Sequence, residues 1–556
     1  MSASSKKKLR KEQNAALLTE RQQQERKEAK KLKIYTTIFA VAMALVVLTA
    51  VIVMSVNGVK TSGILQKNTI AAVVGDHEIN NVELGYYFGD VISNKYTEWQ
   101  QQYGDYMNFY MMMEGLDLTA PLNEQAYDEE MTWADHFVGE ALKAAKSNYA
   151  LYDMAMAEGF KLTEEDEANW EAGISQAELY AKFYYGFSDL DSYLEAMYGY
   201  GANEKSYREY TRVSAVATAY YNAHADSLKY TGEQISAHEA KNYAAYNSYS
   251  FNSYFVDADN YLTGGTTDEK GNKSYSDEER AAAVAEAERI ANQLAAATSV
   301  DALNKLIEAL PVSVGADTSD VADTSDTYTD VLYSALPEDY KAWLSSADRK
   351  ANDTTVIIDK GSVSENDEEA KETVFGYNVL IYVGCNENTE PIANVRHLLV
   401  KFENGTTDEK TGETTYPESS RTAAKEEAEK LLAQWQAGDK TEASFVELVK
   451  EHSDDSSAET GGLFEDITPD SNYVETFRSW SVDPARQAGD AEVIESEFGY
   501  HVMYYVGDDE LSYRQYMIDN DLRTADMEVW YNGIVDKATV IEKNASYLPL
   551  DRSVTS

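Results

Sequence analysis

The sequence predicts a multidomain protein: one transmembrane helix, a mainly α-helical domain formed by both ends of the chain, and two α+β domains, the first degenerate. Three observations support this fold class. An uncharged run covers residues 34–56, helical periodicity dominates up to about residue 243 and again near the C-terminus, and one strand-rich pattern occurs twice between them. A chain of 556 residues is also too long for a single hydrophobic core.

The N-terminal segment predicts a membrane anchor. Residues 1–33 carry 11 Lys and Arg against 4 Glu, and the 23 residues of 34–56 carry no charge. At a helical rise of about 1.5 Å per residue, such a run crosses a hydrocarbon core of about 30 Å. Because the basic residues precede it, we expect a cytoplasmic tail at 1–33 and an extracytoplasmic body. A cleaved signal peptide is the alternative, but the apolar run is long for one and no clear cleavage site follows.

Charge and cysteine content exclude several classes of function. The net charge is -48, so an acidic body follows the basic tail and argues against nucleic acid as a partner. Basic client segments suit such a surface better. Cys385 is the only cysteine, which excludes an intrachain disulfide, a zinc site built on cysteines and a lipid-anchored N-terminal cysteine.

The region after the apolar run predicts the first part of the helical domain, at 57–243. Two short strands are expected around a turn at Gly75 and Asp76, followed by a helix that begins at Asn80 or Asn81. Amphipathic helices then continue to about residue 243, and a last amphipathic stretch in 509–556 is expected to fold back onto them.

Within the helical domain, the stretch from Tyr86 to Gly115 is dense in Tyr and Met. Flexible thioethers and amphipathic phenols suit a surface that accepts many unfolded segments. Ordinary helix core is the alternative interpretation, because apolar residues at helical spacing usually face inwards.

An internal repeat defines the next two domains. The segment FGYNVLIYVG begins at Phe375 and FGYHVMYYVG begins at Phe498, and seven of their ten positions are identical. The segment GTTDEK also occurs twice, from Gly265 and from Gly405. We therefore predict two copies of one module, at 244–387 and 388–508.

The second copy contains several motifs in a fixed order. RHLLV lies in a predicted strand, an Ala- and Leu-rich helix follows, and a second helix is predicted to begin at Ser444 with Glu447 completing a capping box. The loop HSDDSSAETGGLF and a strand containing FGYHV complete the module. These strings, in this order over about 120 residues, resemble the parvulin family of peptidyl-prolyl cis-trans isomerases.

The resemblance implies a role for particular residues. It matches His397 and His501 with the central histidine pair, Asp455 with the acidic position of the loop, and Ser496 with the hydroxyl that hydrogen-bonds the pair. It implies a proline pocket with an aromatic floor and a wall after the Gly-Gly turn. The residues expected to bind substrate are Leu463 or Phe464, Tyr473 and Phe477.

The second copy also departs from the family pattern. Tyr473 stands where the family often has Met, and the usual Asp-Leu-Gly after the glycines is absent, so the pocket shape is expected to differ. The resemblance implies no cofactor and no metal. In the first copy Ser253 replaces the first histidine and Asn378 the second, so that copy is expected to be inactive.

An inactive copy before an active one, beside a helical domain built from both chain ends, is similar to the SurA-type chaperones. The expected membrane tether is similar to that of the PrsA-type foldases. These resemblances imply a chaperone role for the helical domain and a single-pass protein of a bacterial cell membrane, compatible with a Gram-positive surface. Expected partners are unfolded or newly secreted polypeptides with X-Pro bonds, and the membrane through one N-terminal helix. Oligomeric state stays open.

Three hypotheses for function follow. The first is a membrane-anchored extracytoplasmic isomerase and chaperone that assists the folding of secreted proteins. The second is a holdase chaperone with no significant isomerase turnover, in which the second module only binds. The third is a surface protein that binds an envelope component through its acidic face.

Overall fold

The structure, a computed structural model, describes residues 61–268, 273–310, 324–362, 372–407 and 414–550. It divides into two compact units. One comprises Met1–Lys229 and Asp526–Ser556, and the other Tyr230–Ala525. Each unit is described by itself, and the boundaries predicted for the six segments of the chain stay predictions.

The predicted fold class needs one correction, which concerns the membrane. The helix expected at 34–56 and the tail expected at 1–33 lie outside the described residues. Among the residues that the structure describes, no helix is both long enough and apolar enough to cross a bilayer. The longer helices mix buried apolar positions with exposed charged ones, as helices that bury one face do. The described fold is therefore multidomain α+β without a membrane span.

The first unit is a helical assembly closed by a small sheet. A hairpin forms around Gly75, as predicted, and the strand Val540–Glu542 near the C-terminus pairs antiparallel with its first strand. Asn80 begins the first long helix by accepting hydrogen bonds from the amides of Val82 and Glu83. The elements are α1 (Ile64–Asn68), β1 (Ile70–Val74), β2 (His77–Asn80), α2 (Asn81–Tyr103), α3 (Met107–Met113), α4 (Trp133–Glu158), α5 (Glu164–Phe183), α6 (Leu190–Tyr198) and α7 (Glu204–Ser227).

Aromatic side chains form much of the core of this unit. Tyr86, Tyr87 and Phe137 are among its fully buried side chains. The Tyr86 hydroxyl lies 2.8 Å from the Ser206 hydroxyl, so its polar end stays satisfied while the ring is buried. Helix α4 begins with a capping box between Thr132 and Asp135, which compensates the free amides of its first turn.

The second unit contains two four-stranded antiparallel sheets with the same order of strands. In the first sheet the order is β6-β3-β8-β7, and in the second it is β12-β9-β14-β13. The elements of the first are α8 (Gly232–Glu239), β3 (Ser248–Asp257), β4 (Thr266–Thr267), β5 (Lys273–Ser274), α9 (Asp277–Leu294), α10 (Val300–Glu308), β6 (Asp326–Leu332), α11 (Glu338–Leu344), β7 (Thr354–Ser362) and β8 (Glu372–Asn386).

The second sheet is built from the second copy of the repeated sequence. Its elements, with those that follow it, are β9 (Pro391–Lys401), β10 (Thr406–Thr407), β11 (Thr414–Thr415), α12 (Glu418–Ala437), α13 (Glu442–His452), β12 (Leu463–Ile467), α14 (Glu475–Ser481), β13 (Ala491–Glu495), β14 (Gly499–Ser512), α15 (Tyr513–Val535) and β15 (Val540–Glu542).

Alternation along β9 separates the two faces of this sheet. Leu398 faces the helices α12 and α13 and packs with Leu431 and Phe445. Val395 points to the other face, where it packs with Phe477 of α14. The apolar face covered by helices fixes the register, because a slip of one residue would exchange the two faces. His397 consequently belongs to the face opposite α12 and α13.

Candidate functional site

The two predicted histidines meet on the central strands of the second sheet. In the antiparallel register of β9 and β14, His501 lies opposite Leu399, and His397 lies two residues before Leu399 on the same face. This diagonal relation lets long side chains touch. Their Nδ1 atoms are 2.9 Å apart, the rings are nearly parallel with centroids 5.1 Å apart, and both side chains are buried.

Ser496 completes one end of this pair. It lies in the turn between β13 and β14, where its hydroxyl is 2.7 Å from Nε2 of His501. The backbone amide of Phe498 donates to the same hydroxyl oxygen over 3.1 Å. The tight connection between two paired strands therefore holds the serine against the buried imidazole.

Asp455 lies at the other end of the pair. Its Oδ1 is 3.4 Å from Nε2 of His397, a long contact. The loop after α13 is held to β9, because the Leu399 amide donates to the Ser453 hydroxyl and the Leu399 carbonyl accepts from the Asp454 amide. The structure thus brings together all four residues predicted as catalytic.

Ser457 also belongs to this end of the site, although sequence reasoning did not single it out. Its hydroxyl donates to Oδ1 of Asp455 over 2.6 Å and lies 3.4 Å from Nε2 of His397. Its backbone amide donates to the same carboxylate oxygen. Its position in the SDDSS loop was the available signal.

The donors and acceptors of the network are compatible with a continuous chain of hydrogen bonds. A carboxylate only accepts, so Nε2 of His397 carries a proton when it contacts Asp455. One arrangement that gives every polar atom a partner has Nδ1–H of His501 donating to Nδ1 of His397, and the Ser496 hydroxyl donating to Nε2 of His501.

The electrostatics agree with a neutral His501. Burial, followed by the repulsion of His397, lowers the pKa of His501 from 6.5 to about 4. The hydrogen bond with His397 is the main cause that lowers the pKa of Asp455, with further contributions from Ser457. Asp455 is therefore a carboxylate at neutral pH, and His501 an uncharged imidazole.

An open cavity of about 540 Å³ lies over this pair. Phe464 and Phe477 both stand edge-on to His397, with ring centroids 5.0 and 5.4 Å from it. Tyr473 closes a third side, 5.5 Å from Phe464 and 5.4 Å from Phe477. Three of the residues predicted to bind substrate thus form an aromatic cradle.

Leu463 does not belong to the cavity wall. It pairs with Arg396, whereas Phe464 pairs with Val395, and paired residues of antiparallel strands share a face. Of the two alternatives for the wall, the structure therefore selects Phe464. Five lining residues were not predicted: Leu399, Lys401, Asn472, Val474 and Phe498.

The turn at Gly461 and Gly462 sets the start of β12 against β9. Gly462 has a φ of +67°, and a Cβ atom there would lie 2.1 Å from the carbonyl oxygen of His397. Its own carbonyl accepts from the His397 amide over 2.9 Å. Glycine at this position lets two backbones approach closely beside the site.

The first sheet has different residues at the corresponding positions. Asn378 lies opposite Phe255, and Ser253 lies two residues before Phe255, which repeats the relation of the two histidines. The Tyr340 hydroxyl is in hydrogen-bond contact with Ser253. This face of the first sheet therefore carries neither of the two imidazoles.

Among the described residues, no group of three or more His, Cys, Asp or Glu side chains is placed to hold a metal ion.

Comparison with known proteins identifies one family. Residues 397–507 match the rotamase family model described as a PPIC-type PPIASE domain. No curated protein matches the chain.

Several solved structures resemble parts of the chain. The PPIase domain of TbPar42 is 26% identical over 20% of this chain and 98% of its own, with a TM-score of 0.16. PrsA from Bacillus anthracis is 20% identical over 27% of this chain and 59% of its own, with a TM-score of 0.16. A SurA-like chaperone structure from Campylobacter jejuni is 20% identical over 28% of this chain and 57% of its own, with a TM-score of 0.15. The chain thus spans less than two thirds of the length of the last two.

Proposed function

We propose that this chain, whose residues 397–507 form a PPIC-type peptidyl-prolyl cis-trans isomerase domain, is a foldase that combines prolyl isomerisation with chaperone activity. One observation carries the proposal. A buried, hydrogen-bonded histidine pair lies beneath an open cavity with aromatic walls, in the domain that matches the isomerase family.

The reaction requires no broken covalent bond. Rotation about an X-Pro amide crosses a barrier of about 18–20 kcal/mol, because twisting removes the resonance of the amide. A catalyst acts by binding the twisted amide more tightly than either planar form. Phe464, Tyr473 and Phe477 grip the proline ring, and the ring needs no polar partner.

The polar network acts on the rest of the amide. With the ring held, rotation moves the carbonyl of the preceding residue over the surface that His397 and Asp455 form. Preorganised dipoles favour the changed charge distribution of the twisted state. Ser496 and Ser457 keep the two imidazoles and the carboxylate in one arrangement, so the dipoles need not reorganise during the reaction.

The proposed clients are unfolded polypeptides that contain X-Pro bonds. We further propose secreted proteins as clients, on the basis of the sequence of residues 1–56. These residues lie outside the described ranges. The location of the protein in the cell is therefore tested by fractionation of cells that express the full chain.

The test is isomerisation of a proline-containing peptide by the full chain. His397→Ala and His501→Ala should each lower kcat/KM by at least about ten-fold, equivalent to about 1.4 kcal/mol of transition-state stabilisation. The matched control is His452→Ala, which removes a partly exposed histidine at the end of α13. Unchanged rates in both site variants would contradict the catalytic assignment.

A holdase without turnover is the second candidate, because the first unit exposes many apolar side chains. Tyr106 and Met112 are 72% and 70% exposed, and exposed apolar patches mark interaction sites. Wild-type chain that suppresses aggregation of an unfolded client but isomerises no faster than the spontaneous rate would favour this candidate.

A further inference from the structure

A second cavity, of about 820 Å³, lies in the first unit and takes no part in the isomerase site. Its walls come mainly from α2 and α4, and its lining extends along α4 from Trp133 to Asn148. At about 1.5 Å per residue this distance is about 22 Å, the length of about six or seven residues of an extended chain.

One end of this groove is aromatic. Tyr103 and Tyr110 stack with centroids 4.1 Å apart, and Tyr127 stands edge-on to Trp133 at 4.7 Å. Tyr110 is 40% exposed and Tyr127 is 41% exposed. Rigid rings with open faces bind apolar side chains at a low cost in conformational entropy.

The aromatic end continues into an exposed strip on α3 and the turn before it. Tyr106, Phe109, Met112 and Met113 are 54–72% exposed, whereas Met111 is buried in the core. Both interpretations of the Tyr- and Met-rich stretch, helix core and binding surface, therefore apply to different sides of it. Its inward side is helix core, and its outward side is an adaptable apolar surface beside the groove.

The other end of the groove is polar. Asn94 of α2 and Ser147 of α4 contribute to its lining. An amide and a hydroxyl each donate and accept hydrogen bonds, so they suit the backbone of an extended peptide whatever its sequence. Aromatic contacts at one end and backbone contacts at the other are a combination that tolerates many sequences.

The charges on the groove favour a basic occupant. Lys95 pairs with Glu98 at 3.1 Å, and Lys143 pairs with Glu140 at 2.6 Å. The lining contains three glutamates, Glu98, Glu114 and Glu140, against these two lysines. The groove therefore presents an uncompensated carboxylate, in a chain of net charge -48.

We infer that this groove binds an extended, unfolded polypeptide segment that carries aromatic or long aliphatic side chains together with Lys or Arg. The inference rests on the chaperone part of the proposed function and names its site and ligand chemistry. Binding here needs no proline, so the groove and the isomerase site recognise different features of one client.

The experiment measures binding of a fluorescein-labelled, proline-free decapeptide of Phe, Leu, Lys, Gly and Ser to the full chain. The double variant Tyr110→Ser/Tyr127→Ser should weaken binding by about ten-fold or more, since two aromatic contacts are lost. The matched control is Tyr184→Ser/Tyr185→Ser, which removes two tyrosines that are 79% and 59% exposed outside the groove. The control should change affinity by less than about two-fold.

The charge contribution has its own variant. Glu114→Gln should weaken binding of the lysine peptide by about three-fold at low salt and leave a glutamine version of the peptide unaffected. Circular dichroism melting of each variant checks that the fold is intact.

Equal affinity of the wild type and the groove variant, or equal losses in the groove and control variants, would overturn the inference. A change of oligomeric state in place of peptide affinity would assign the groove to a contact between copies and also overturn it. Isomerase activity on a proline peptide is measured in parallel. Its loss in the histidine variants tests the proposed function separately from the groove.

Discussion

His501 is buried between Ser496 and His397, whose hydroxyl and imidazole are its direct polar contacts among the described residues. Burial, followed by repulsion from His397, lowers the pKa of His501 to about 4. The same burial makes the imidazole a fixed dipole across the pH range in which an exposed histidine titrates.

The low pKa predicts how stability depends on pH. Between pH 6.5 and about 4 the unfolded chain binds a proton at His501 that the folded chain does not. The stabilisation is thus complete above pH 6.5 and is lost as the pH falls through about 4, with an upper bound on the order of 3 kcal/mol. Asp455, whose pKa is also lowered, acts in the same direction at lower pH.

The measurement is urea unfolding of the wild type and of His501→Asn at pH 7, 5.5 and 4.5, monitored by hydrogen exchange of the β14 amides. The variant carries the residue that the first sheet has at this position and should lose less stability on acidification. His452→Ala is the control, and its free energy of unfolding should fall with decreasing pH as steeply as that of the wild type. An equally steep fall in the wild type and in His501→Asn would contradict the prediction.

At the level of secondary structure elements, the site depends on how β12 and the loop after α13 meet β9. The sequence predicted that α13 begins at Ser444 with Glu447 as its partner. In the structure the helix begins at Glu442, and Thr441 is the N-cap with Ser444 as its partner. The prediction was wrong by one turn, because Thr441 also carries a hydroxyl at a suitable spacing and this hydroxyl accepts from the Ser444 amide.

At the level of secondary structure elements, we predict that a side chain at Gly462 in the Gly461-Gly462 turn destabilises the domain. Gly462→Ala would place a methyl group in contact with the His397 carbonyl, at a φ that disfavours side chains. We expect a destabilisation of at least about 2 kcal/mol and a reduced isomerase rate, because the strand that carries His397 must shift. Chemical denaturation and kcat/KM are the measurements.

The matched control for this substitution is Gly533→Ala. Gly533 lies in α15 with open space around the Cβ position, so alanine should be neutral or stabilise the helix by up to about 1 kcal/mol. Similar effects of the two substitutions would show that the turn does not depend on close backbone approach.

At the scale of the whole second unit, Arg514 ties together segments far apart in the sequence. It is 4% exposed, forms an ion pair with Glu239, and donates to Oδ1 of Asn247 and to the Glu387 carbonyl. Its backbone amide donates to the carbonyl of Asn388, which lies between β8 and β9. One guanidinium therefore links α8, the start of β3 and the connection between the two sheets.

Removing the Arg514 guanidinium should destabilise the second unit. Arg514→Met leaves Glu239 and several acceptors unpaired, and we expect a loss of about 3–5 kcal/mol in the second unit. Hydrogen exchange of the β8 and β9 amides measures it, since a chain with two units need not unfold in one step. The double variant Arg514→Met/Glu239→Gln should recover part of the loss, and no recovery would contradict the ion-pair explanation.

Sequence reasoning was most successful where chemistry is local or repeated. The hairpin at Gly75, the helix beginning at Asn80 and the histidine-bearing strands follow from alternation, capping and turn residues that act within a few positions. The isomerase domain followed from ordered motifs, and the family comparison confirms it. The catalytic roles of His397, Asp455, His501 and Ser496 stay predictions, although the structure brings these residues together.

By itself the sequence determined the ordered motifs of the isomerase domain, the acidic character of the chain and the repeat, because each is a property of residue identity and order. Only the tertiary structure decided that Phe464, and not Leu463, faces the cavity, that Ser457 completes the network, and that the Tyr- and Met-rich stretch has a buried side and an exposed side. These outcomes depend on strand register and on which helix face finds a neighbour. Contacts between residues that are distant in the chain set both, and no local pattern encodes them.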